Sequence, residues 1–173
     1  RRASRTEWFG PLTAMVASLN AATWAGFRGD SGDGISTEKN LPIKWSTASG
    51  VKWKATLPGR GNSSPVVTAK RVYLTTQTKD LGLWVIAIDK ASGKETWRKK
   101  VAGGALVAKG PKNLYAHRHD PATSTPVADE KHVWAFFGTG NLVCLDAAGN
   151  QKWARNLVKE FGAYDITFGM GSS

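Results

Sequence analysis

The stretch "AIDKASGKETW" (residues 87–97) decides the fold. An apolar run ends in Asp89, the chain turns through Ser92-Gly93, and charged residues lead to Trp97. Taken alone it is an ordinary hairpin with one core aromatic. It has a counterpart at 144–153, "CLDAAGNQKW", one residue shorter in the turn. A partial copy, "SGVKW" (49–53), carries only the last portion.

The repetition extends upstream of the turn. "SSPVVTAKRVYLTT" (63–76) aligns with "STPVADEKHVWAFF" (124–137): two small hydroxyl residues, Pro-Val, a polar turn, then a basic residue, valine and an apolar strand. Trp53, Trp97 and Trp153 mark successive copies, spaced 44 and 56 residues apart. "GMGSS" (169–173) matches only the head of a unit.

Between these landmarks the apolar runs are four to seven residues long, rich in Val, Ile, Thr and aromatics, and bounded by turn residues. That pattern predicts strands rather than helices, at 51–56, 65–69, 71–76, 83–88, 95–101, 132–137, 142–146 and 151–157. Each complete unit supplies four strands. Four-stranded antiparallel sheets recurring every 40 to 60 residues are the blades of a β-propeller. The expected fold is therefore all-β: blade units at about 63–101 and 124–157, a closing strand at about 51–56, and the start of a further blade at 169–173. A β-sandwich with accidental internal similarity is the competing architecture.

Composition bounds the rest. The chain has 173 residues, enough for a real core. Nineteen glycines without collagen periodicity suit many turns. The net charge of +11 raises nucleic acid as a partner. The Lys and Arg are scattered, however, and the densest run is Arg98-Lys99-Lys100. A basic surface is the better reading, and nucleic acid is not expected. Arg1, Arg2 and Arg5 precede an apolar stretch at 8–19 and the small residues Ala21 and Ala22. Residues 1–22 thus have the form of an export signal, too short to span a bilayer. Residues 23–173 would be the N-terminal part of an exported, periplasmic or otherwise extracytoplasmic propeller. Cys144 stands alone in an apolar run and is expected to be a buried small hydrophobe.

The motif Ala87, Asp89, Gly93, Trp97 resembles the tryptophan-docking motif of propellers of the pyrroloquinoline-quinone (PQQ) type, with Ser92 where that family usually has Thr. The second copy offers Cys144, Asp146, Gly149 and Trp153. "WAGFRGDSGDGIS", "LPIKWS", "LPGRGNSSPVV" and "FGMGSS" extend the likeness, in order, to exported bacterial PQQ-like repeat proteins. That group is related to the outer-membrane barrel-assembly lipoprotein and to the quinoprotein dehydrogenases. The resemblance implies one of two functions. One is a non-catalytic scaffold of the cell envelope, presenting funnel and loop surfaces to a protein or small ligand. The other is a dehydrogenase that oxidises an alcohol or sugar with PQQ and Ca²⁺. The dehydrogenases use acidic and amide ligands, a catalytic aspartate and usually a vicinal disulfide. This sequence has a single cysteine and no matching acidic cluster, so the scaffold is preferred and neither a catalytic residue nor a metal site is assigned.

The residues themselves support structural roles. Gly93 and Gly149 supply backbone freedom in tight turns, Asp89 and Asp146 accept turn amides, and Trp97 and Trp153 would each bury about 200 Å² between sheets. "AHRHDPATSTP" (116–126) is the most chemically suggestive loop. His117, His119 and Asp120 have a metal-ligand flavour, yet a Pro-bounded loop facing the propeller funnel is the preferred reading. "GFRGDSGDG" only faintly echoes a calcium loop, lacking its spacing and closing glutamate.

Overall fold

The computed structural model describes residues 23–39, 41–46, 49–106 and 120–164. Two four-stranded antiparallel sheets follow one another in the chain. The first comprises β1 (Val66–Val67), β2 (Arg71–Gln77), β3 (Gly82–Asp89) and β4 (Glu95–Gly103). The second comprises β5 (Val127–Ala128), β6 (His132–Phe136), β7 (Asn141–Asp146) and β8 (Gln151–Asn156). In both, spatial order equals chain order, so each sheet is a simple meander. A short helix, α1 (Leu157–Phe161), capped by the Asn156 side chain, follows β8. The seven strands expected from 65–69 onward are all present, within a few residues of their predicted limits.

Period-two alternation explains why the sheets stack. Tyr73 from β2 and Leu83, Val85 and Ala87 from β3 point to one face of the first sheet and meet Val133, Ala135, Val143 and Leu145 of the second in one core. The opposite face of the first sheet presents Leu74, Ile86 and Ile88 to Trp53 and Ala55. The first blade is thus apolar on both faces and needs a neighbour on each side, as propeller blades do.

One expected element differs. Residues 51–56 form no ladder, although Trp53 and Ala55 alternate inward as strand residues would. A strand needs a partner for its amides and carbonyls, and residues 51–56 pair with no strand among the described residues. Their packing on blade one is present; their pairing is not. The expected signal segment, 1–22, and the expected blade start, 169–173, lie outside the described residues.

Residues 24 and 25 pair with the β1 and β5 edges of the two sheets. Trp24 exchanges backbone hydrogen bonds with Val67 at 2.7 and 2.8 Å, and the Ala25 carbonyl accepts from Ala128 N at 2.9 Å. The Asp30 carboxylate fastens this segment by accepting from Ala25 N and Thr23 Oγ1. The aspartates of "GFRGDSGDG" are therefore turn acceptors: Asp33 likewise accepts from Ser31 Oγ and Ile35 N.

Candidate functional site

The meander puts two kinds of connection at opposite ends of the blades. One end carries the β1–β2, β3–β4, β5–β6 and β7–β8 turns. The other carries the β2–β3 and β6–β7 hairpins, residues 57–63, and the described parts of the β4–β5 connection, 104–106 and 120–126.

At the first end the motif residues do structural work. The Asp89 carboxylate accepts from Ser92 N and Ser92 Oγ at 2.8 and 2.6 Å. Asp146 accepts from Ala148 N and Asn150 N at 3.0 and 2.9 Å and pairs with Lys152. These bonds hold both carboxyls below the ordinary carboxylate range, led by the Ser92 side chain for Asp89 and the Asn150 amide for Asp146, which reaches about 2. Ala87 stands opposite Trp97 in the ladder, and Cys144 stands opposite Trp153. A small residue there leaves room for the indole on the same face. The ladder shifts register directly after each of these positions, between Ala87 and Ile88 and between Cys144 and Leu145.

The turns receive tryptophans from the unit before. Trp53 Nε1 donates to the Lys90 carbonyl at 3.0 Å, and Trp97 Nε1 donates to the Ala147 carbonyl at 3.0 Å. Each indole lies against the glycine of the turn it enters. A β-carbon on Gly93 would come within 2.4 Å of Trp53, and one on Gly149 within 2.8 Å of Trp97. The residue after the aspartate is used on both sides, since Lys90 N and Ala147 N donate to Lys70 O and Lys131 O. This backbone bridge was invisible in the sequence, because it depends on no side chain. Trp153 remains 40% exposed, with no third turn among the described residues to receive it.

At the second end the polar loop is only partly described. His117 and His119 lie outside the described residues. Asp120 is buried, its Oδ1 accepting from Ala122 N at 2.8 Å, so it caps the turn that leads into the second blade. Hydroxyls here join the blades: Ser64 N donates to the repeated Thr125 Oγ1, and Thr75 Oγ1 donates to the Ala122 carbonyl. Among the described residues, no three His, Cys, Asp or Glu side chains are grouped to hold a metal ion. No described helix is long and apolar enough to cross a membrane.

A groove of about 890 Å³ lies at this end between the β2–β3 hairpin and residues 57–60. Leu57, Pro58, Arg60, Lys79 and Leu81 line it. Sequence reasoning missed it. Aligning the "TKDLG" hairpin (78–82) with "FGTGN" (137–141) would have set Leu81 against Gly140 and singled that leucine out.

Two stacked four-stranded meanders, joined by an indole entering the following turn, define a β-propeller of PQQ-like repeats, here in part. The family model described as outer membrane protein assembly factor BamB matches residues 17–169, and the chain belongs to that family. No curated protein matches the sequence. Among solved structures, a europium-containing methanol dehydrogenase is similar at 20% identity and a TM-score of 0.42, over 60% of this chain and 18% of that one. BamB from Moraxella catarrhalis is similar at 18% identity and a TM-score of 0.36, over 59% of this chain and 29% of that one. The chain thus spans under a third of either protein's length.

Proposed function

We propose that the chain is part of a non-catalytic binding scaffold of the cell envelope, which holds a protein partner at the end of the blades that carries the β2–β3 and β6–β7 hairpins. The observation that carries this reading is the unequal use of the two ends. At the Asp–Gly end, turn carboxylates, carbonyls and glycines are consumed by the blades themselves. At the opposite end a groove lies open beside exposed cationic and apolar side chains. Membership of a family described as an outer membrane assembly factor supports an extracytoplasmic setting and a protein ligand. The tryptophan-to-turn contact is, in this reading, the docking motif that propagates the ring rather than a ligand site.

Photo-crosslinking in cells tests it. A benzophenone amino acid at Arg60 or Lys79, both exposed on the binding end, should yield discrete protein adducts. The same probe at Lys94 or Lys131, on the opposite end, should yield none. Equal adducts from both ends would overturn the reading. So would saturable quenching of tryptophan fluorescence by PQQ with Ca²⁺ in the full-length protein, accompanied by dye-linked alcohol oxidation.

A further inference from the structure

We infer that the groove between the β2–β3 hairpin and residues 57–60 docks an acidic peptide segment with an apolar anchor side chain. This rests on the reading of that end as the binding surface.

The two blades make a controlled comparison. Both hairpins at this end are closed in the same way: Leu81 N donates to Thr78 O and Gly140 N to Phe137 O, while Gly104 N and Leu157 N donate to the carbonyls of Leu81 and Gly140. The loop residue in the left-handed region is Gly140 (φ 85) in the second blade and Leu81 (φ 62) in the first. Glycine is the residue such a loop favours, and a leucine there is sterically disfavoured. Blade one accepts that strain and still leaves Leu81 48% exposed, so the core gains little from it. A strained apolar side chain held in solvent points to a ligand. The first hairpin is also taller, with seven ladder pairs against five, so Leu81 stands above the neighbouring blade.

The opposite wall is equally specific. Gly59 and Gly61 bring "LPGRG" against the end of β2, where a β-carbon would fall within 2.2 Å of the Gln77 carbonyl and 2.6 Å of the Thr75 carbonyl. Arg60 then exchanges two backbone hydrogen bonds with Gln77, at 3.0 and 2.7 Å, and its carbonyl accepts from Thr76 Oγ1. A fixed backbone thus presents the Arg60 side chain at the groove. Leu57, 41% exposed, and Pro58 extend the apolar floor.

Charge selects the ligand. Arg60 and Lys79 make no ion pair among the described residues. The one carboxylate of the groove, Asp80, is already engaged by the Thr78 hydroxyl, Lys100 Nζ and Gly82 N. The groove therefore offers two cations with no ion-pair partner among the described residues, set around an apolar floor and complementary to carboxylates flanking an apolar side chain. Among the described residues no aromatic ring lines it for stacking, which disfavours single-stranded nucleic acid.

Fluorescence anisotropy on the full-length protein tests this, with a fluorescein-labelled peptide of glutamates alternating with leucines as probe. Counterparts carry lysine or glutamine in place of glutamate. The acidic peptide should bind best and weaken with salt. Leu81→Gly, which installs the residue the second blade uses, should fold with an equal or higher Tm and bind about tenfold more weakly. Arg60→Gln with Lys79→Gln should weaken binding about 3- to 10-fold and flatten the salt dependence. Lys94→Gln with Lys131→Gln, at the opposite end, should change nothing. Three results would each overturn the assignment: equal binding of the lysine peptide, wild-type affinity in Leu81→Gly, or displacement of the probe by oligo(dT). If crosslinks form at this end while the groove variants bind normally, only the groove assignment fails. Absence of crosslinks as well removes the underlying reading.

Discussion

Trp97 of the first blade and Gly149 of the second occupy one contact: the indole donates to Ala147 O at 3.0 Å, and its ring lies where a Gly149 side chain would be. Gly149 also has φ 87, a region that disfavours a β-carbon. Gly149→Ala therefore meets both a clash and backbone strain, and should lower the stability of the full-length protein by about 1–3 kcal/mol. Trp97→Phe keeps an aromatic but loses the hydrogen bond and some area, for about 1–2 kcal/mol. Urea unfolding measures both, and additive losses in the double variant would argue against a shared contact.

The same contact sets the behaviour of the isolated 173 residues. Trp53 fills the first turn and Trp97 the second, while Trp153 stays 40% exposed. Leu41, Ile43 and Trp45 are also exposed, at 57, 91 and 70%. Blades gain much of their stability from neighbours on both faces. The isolated segment should therefore melt broadly and at low temperature, with Trp153 accessible to acrylamide quenching. A sharp, high-temperature calorimetric transition would contradict the open-ended architecture.

Asp146 supplies a pH signature. Hydrogen bonds from the Asn150 amide and side chain, with Lys152 nearby, hold its carboxyl at about 2, below the usual 3.8. A carboxyl whose folded pKa is depressed contributes stability above its unfolded pKa and loses it as pH falls through the folded value. Asp80, also at about 2, and Asp89, held low by Ser92, act in the same direction. Thermal melts of the full-length protein should thus decline between about pH 4 and pH 2. Asp146→Asn should be less stable at neutral pH and show a shallower acid decline.

Much of this architecture was legible because it rests on local chemistry that repeats. Asp89 and Gly93 carry turn roles that recur at 146 and 149, Trp53 and Trp97 share one packing role, and recurrence at a fixed order excludes accident. What escaped was set by tertiary context. Helix α1 spans only five residues, too few for a helical period to register, and depends on the Asn156 side chain accepting from Lys159 N. Residues 51–56 have the alternation of a strand, but pairing requires an edge that their own sequence does not encode. Leu81 was unremarkable in composition, and its left-handed backbone emerges only from the hairpin's closure. The groove followed the same logic, since its walls come from segments about twenty residues apart.

Cys144 provides a reporter for the second blade. It is 3% exposed, stands opposite Trp153 in the ladder, and occupies the position that Ala87 holds in the first blade. Burial pushes its thiol up, so the reactive thiolate is suppressed as well as shielded. In the native full-length protein, Ellman's reagent should therefore react slowly, at a rate limited by opening of the β7–β8 edge, and rapidly in denaturant. Because an alanine already fills the equivalent site beside Trp97, Cys144→Ala should cost only about 1 kcal/mol, through the small volume lost. A larger residue there would meet the indole's side of the sheet, and Cys144→Leu should destabilise by about 1–3 kcal/mol. Gly149→Ala, which loosens the seating of Trp97 on this blade, should accelerate thiol labelling of native protein. Unchanged labelling in that variant would show that blade two opens independently of the contact that joins it to blade one.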